Sequence, residues 1–246
     1  MRDLLLRGML AGVTASIFAV GFATVFGEPP IERAIAFEEQ SSGGLAHAAP
    51  DGHASDAAAE AAPVPRSVQR TAGLSVGMLG LGVAFGGIVA IAFAFARGRL
   101  GAMSDRATAL TVALLAFLAM YLVPFLKYPA NPPAAGDPET IQARTAAYVA
   151  MLLLSVLITT GAVILQRRLA RGRSEWDATL LATAAFVTGC AATAVLMPAF
   201  AEVPDAFPAD TLWRFRVASV GTQLVLWLGI GVAFGMLTER AARAQR

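Results

Sequence analysis

Six runs of 19 to 26 residues, each free of Asp, Glu, Lys, Arg and His, divide this chain. They cover 8–26, 71–96, 107–126, 145–165, 178–199 and 217–237. A helix needs about 20 apolar residues to cross a hydrocarbon core about 30 Å thick. Backbone polar groups find no water there, so a continuous apolar run of this length reads as a helix. A barrel would need short alternating strands, and these runs do not alternate. The pattern predicts an all-α polytopic membrane protein, a single membrane domain over 1–246, with six transmembrane helices arranged as three hairpins. The first run has a second reading as a signal peptide with Arg2 and Arg7 as its charged start. Its apolar core is longer than a usual one, and no A-x-A site follows directly after it.

Polar positions then set the orientation. Of the 19 Lys and Arg residues, twelve lie at the two ends and in the second and fourth connections, beside the spans. The other three connections hold seven bases against twelve acids, a balance of −5, while the Arg-rich side carries twelve bases against five acids, or +7. That asymmetry predicts both termini in the cytoplasm of a bacterial inner membrane. Composition agrees: 57% of residues are hydrophobic, 15% are charged and mean hydropathy is +0.63, against about a quarter charged in soluble domains.

The three outer loops, 27–70, 127–144 and 200–216, share a plan: prolines after the outgoing helix, then acids, then a base at the returning helix. Proline favours a helix end there. Asp137 before Pro138, and Asp210 before Thr211, read as helix caps. Glu202 and Asp205 lie too far upstream to cap and are freer to bind a cation. The first loop begins with an amphipathic piece over 28–40. An Ala-, Gly-, Ser- and Pro-rich stretch over 41–65 follows, of a composition that cannot bury a core and predicts flexibility. It holds His47 and His53, the chain's only histidines, which with Asp51 form a weak candidate for metal capture. The plainer accounts are a linker that contains two His residues and loops that carry charge for solvation.

The spans exclude several chemistries. None contains a histidine for haem ligation, or the carboxylate or Lys of a proton relay. No GxxxxGK[ST] motif is present, and Lys127 is the only lysine. The single Cys190 lies in an apolar run with no partner for redox or nucleophilic chemistry. An enzyme is not expected, nor a permanently bound cofactor, nor nucleic acid as partner. Four GxxxG motifs start at Gly8, Gly73, Gly82 and Gly231, and small residues at that spacing let helix backbones approach closely.

Three outer segments carry a resemblance: GEPPIERAIAFEE at 27–39, VPFLKYPANPPAAGDPETIQART at 123–145 and EVPDAFPADTLWRFRVAS at 202–219. With RGMLAG at 7–12, they resemble the CbtA family, proposed cobalt transporter subunits of bacteria and archaea. The resemblance implies a permease component for a divalent cation, cobalt, linked to cobalamin metabolism. It also implies a small one-span CbtB-like partner with a His-rich end; a second copy of the chain is another candidate partner. The first loop keeps only two of the histidines that many members carry, which shifts interest to Glu28, Glu32, Glu38, Glu39, Asp137, Glu139, Glu202 and Asp205 as ligands for Co²⁺. The rival readings are a scaffold or accessory subunit that moves nothing, and an import component for a corrinoid or another small solute.

Overall fold

The computed structural model describes residues 1–46, 65–133, 135–136 and 138–244. Six helices are long and apolar enough to cross a membrane: α1 (Arg2–Ser41), α2 (Arg66–Ala96), α3 (Asp105–Lys127), α4 (Ile141–Leu169), α5 (Glu175–Leu196) and α6 (Ala209–Ala244). The chain is a multi-pass, all-helical membrane protein, and the described residues contain no strand.

Every helix begins before its uncharged stretch, and α1, α3, α4 and α6 also run past its end, because backbone pairing does not stop where side chains turn polar. α1 departs furthest from expectation: it passes Pro29 and Pro30, and its helical backbone continues to Ala46. Widening of the helix over Ala23–Gly27, where Glu28 N–H reaches Ala23 O, accommodates the two missing donors. α3 passes Pro124 in the same way, through a π segment at Leu118–Leu122. There the Ser155 hydroxyl of α4 donates to Ala119 O. At Pro198 the expectation holds, since α5 ends at Leu196.

Packing does not follow three consecutive hairpins. α1 lies along α2 and also along α6, while α3 finds its main partner in α6 rather than in α4. These four helices enclose one core, with Val89, Phe93, Phe117, Leu226, Trp227, Ile230 and Phe234 at its centre. Phe93 meets Phe234 edge-on at 5.1 Å, and Phe85 stacks on Trp227 at 4.6 Å. The Trp227 indole N–H donates to Gln223 Oε1 at 3.2 Å, so the buried ring keeps a polar partner.

α4 and α5 pair with each other at the side of this core. Only 6% of the most apolar window of α5 is buried in the protein, against 33–39% for the four core helices, so most of its surface faces lipid or another chain.

The glycine motifs explain the closest contact. A Cβ on Gly8 would strike Gly86 O, and one on Gly12 would strike Gly82 O. The converse clashes arise at Gly82 and Gly86, so the backbones of α1 and α2 touch. Ser16 Oγ adds a bond across this contact to Met78 O at 2.8 Å. Gly231 and Gly235 seat α6 against Ala113, Leu110 and Arg106 of α3. Gly77, by contrast, has nothing within 4 Å, so the motif starting at Gly73 makes no such contact.

Candidate functional site

One end of the bundle carries the three segments singled out in the sequence, and the structure joins them into a cap. Because α1 continues past its prolines, Glu28 and Glu32 project one turn apart toward the start of α2, where Arg66 and Arg70 share that spacing. Arg66 pairs with Glu28 at 2.7 Å and Arg70 with Glu32 at 2.8 Å. Glu28 is almost buried and Glu32 about half exposed.

Apolar contacts hold the segments together. Ala34 and Phe37 of α1, Ala135 of the second outer connection, and Val203, Phe207 and Leu212 of the third pack as a small core separate from the bundle. Phe37 meets Phe207 near edge-on at 5.2 Å. These three segments therefore have an interior of their own, which loop-like composition alone did not predict.

Polar bonds tie the second connection to the third. Glu202, whose side chain is 5% exposed, forms an ion pair with Arg144 and accepts the Thr140 hydroxyl at 2.5 Å. Arg216 donates to Asn131 Oδ1 at 2.9 Å and to Ala130 O at 3.4 Å. The Tyr128 hydroxyl donates to Pro198 O at 2.8 Å. Asp210 lies within the first turn of α6, and its carboxylate takes Arg214 at 2.9 Å and Arg33 at 3.7 Å. Inside the helix rather than before it, Asp210 makes ion pairs in place of the expected cap.

These contacts redistribute the acids expected to bind metal. Glu28, Glu32 and Glu202 stand in ion pairs, while Glu38, Glu39 and Asp205 are exposed. Glu139 has an interaction of its own and is exposed. His47, His53 and Asp137 lie outside the described residues. Among the described residues, no three His, Cys, Asp or Glu side chains converge as a metal-binding group.

Beside the ties between the second and third connections, between α3 and α4, lies a cavity of about 550 Å³. Its walls are Tyr121, Phe125, Tyr128 and Tyr148, a rim of Pro129, Pro132 and Pro133, and the polar groups of Asn131, Arg144 and Thr145. Tyr121 sits in the π segment of α3 and bonds Ser219 of α6 at 2.8 Å; Tyr148 lies two turns into α4. The cavity thus reaches from the cap into the bundle. Reasoning from acids missed these residues. The signal was rarity: the chain has three tyrosines and one asparagine, and all four line this space.

A comparison with protein-family models matches residues 1–239 to CbtA, described as a probable cobalt transporter subunit. No curated protein and no solved structure matches the chain.

Proposed function

The chain belongs to the CbtA family of probable cobalt transporter subunits, and from that premise we propose that it is the membrane permease component through which cobalt reaches the cytoplasm, in support of cobalamin metabolism. One observation carries this reading. The three outer segments converge on a cap, and a cavity between two spans runs from that cap toward the bundle. A scaffold needs no such opening.

In this proposal Asp205 and Glu39, both exposed, attract the cation to the mouth, with His47, His53 and Asp137 as further ligands. Glu28, Glu32 and Glu202 hold the cap in shape through their arginines. A subunit implies a partner, and the little-buried flank of α5 offers a single helix room to bind.

Sealed vesicles containing this chain alone are expected to accumulate radiolabelled Co²⁺ in a time-dependent way. Vesicles that gain uptake only with a second chain would show the permease to be a complex. No uptake in either case would favour the accessory-subunit reading. The orientation has its own test: a reporter active only outside the cytoplasm should work when fused after Asp56 and be silent after Arg171. The reverse pattern would overturn it. Replacing His47 and His53 together by Ala should lower uptake by no more than about twofold, and only at scarce metal, since a tethered ligand raises local concentration without forming the path. A loss at all metal concentrations would put those imidazoles on the path itself.

A further inference from the structure

Resting on the proposed role in cobalt uptake, we propose that the tyrosine-lined cavity is a binding site for a flat organic carboxylate, and that it receives the metal as a carboxylate chelate rather than as the bare ion.

The walls argue against a naked divalent cation. Such an ion takes oxygen or imidazole ligands, carboxylates foremost. Among the described residues no Asp, Glu or His lines the cavity, whereas a guanidinium does. Among the described residues, the charged groups that touch its lining include Arg144 itself, Glu202 on Arg144, Arg216 on Asn131 and Lys127, whose ammonium stands 5.8 Å from the Tyr128 ring centre. Three of these four groups are bases, which favours an anion.

The polar groups also point to a carboxylate. Arg144 turns one side of its guanidinium to Glu202 yet remains 31% exposed at the cavity, and a guanidinium fork suits a carboxylate. Arg216 can only donate, so its bond to Asn131 Oδ1 fixes the amide with its NH₂ as the other end. That end is a donor, again matched to an acceptor oxygen. Around these donors stand four aromatic rings, which gain most from stacking on a flat body. Free carboxylate and its metal chelate share this chemistry, and the test separates them.

Full-length protein in nanodiscs of zwitterionic lipid would be titrated calorimetrically with three probes: Co²⁺ alone, pyridine-2,6-dicarboxylate alone, and the two premixed. The inference expects the premixed chelate to bind, and to bind more tightly than Co²⁺. Chelate binding well above that of the free dicarboxylate assigns the site to the metal complex; equal binding assigns it to the carboxylate, which overturns the chelate part. Binding of Co²⁺ alone as tight as that of the chelate would overturn the inference and leave cobalt transport standing. Heat from none of the probes would overturn it too, and vesicle uptake would still decide transport separately. Tyr148→Ala should weaken chelate binding about tenfold. Arg144→Gln should do the same but also breaks the pair with Glu202, so Thr145→Glu serves as the second variant. Thr145 is exposed at the cavity edge, and the added carboxylate should abolish chelate binding while the protein keeps its thermal stability. Undiminished chelate binding in Thr145→Glu would place the ligand elsewhere.

Discussion

Gly82→Val is expected to leave little folded protein in the membrane, whereas Gly77→Val, five residues away on the same helix, is expected to be nearly silent. At Gly82 even a Cβ would run into Ser16 Oγ and lies 2.5 Å from Gly12 O, and one of those obstacles is backbone. Relief would require α1 and α2 to separate along their whole contact, which is the most extensive in the protein. The cost lies at or above the roughly 3 kcal/mol that tops the usual range for overpacking. At Gly77 there is open space, so the added methyls meet only lipid or solvent. Ser16→Ala gives the intermediate case: it removes the hydroxyl shared between Gly12 O and Met78 O, worth about 0.6 kcal/mol within a membrane. Thermal unfolding of each variant in detergent, with its amount in the membrane, would check the ranking. A stable Gly82→Val protein would mean that the two backbones do not touch.

Why some of this was legible and some was not follows from the kind of signal each feature leaves. The six spans rest on long apolar runs, and lipid enforces these almost residue by residue. The glycine motifs announced close packing, but four identical spacings could not say which three would find a partner; only the packing shows Gly73 and Gly77 idle. Hairpin pairing was inferred from chain order, and α6 instead chose α1 and α3, where its own glycines fit. The prolines misled at Pro29 and Pro124, because a π turn absorbs a missing donor without ending the helix. The acids misled in another way. A count of −5 outside describes the loops, but four-residue spacing in both partners turns Glu28 and Glu32 into rungs against Arg66 and Arg70. That matched spacing was readable once α1 was allowed to continue. Glu202 and Arg144 lie 58 positions apart, and no local rule joins them.

Glu202 is where sequence and structure assign the most different roles, so its substitution carries the second large effect. If the carboxylate is chiefly a strut, Glu202→Gln should damage the cap before it damages metal handling. Gln still accepts the Thr140 hydroxyl through its carbonyl oxygen. Its NH₂, however, would face the Arg144 guanidinium, a donor against a donor, in a place where the Glu202 side chain is 5% exposed. Breaking a buried pair on one side costs about 3–5 kcal/mol; with Arg144 about a third exposed, water softens this to about 2–3 kcal/mol. The unfolding midpoint should fall by roughly 5–10 °C, and cobalt uptake should fall in step with the folded fraction. Glu202→Gln combined with Arg144→Gln should recover most of that stability, since two amides can satisfy each other and no buried charge is left alone. The opposite pattern, wild-type stability in Glu202→Gln with uptake abolished, would sink the strut and make this carboxylate a metal ligand. In that event the Arg144 pair would have to open during transport, and the cap would be a moving part rather than a fixed one.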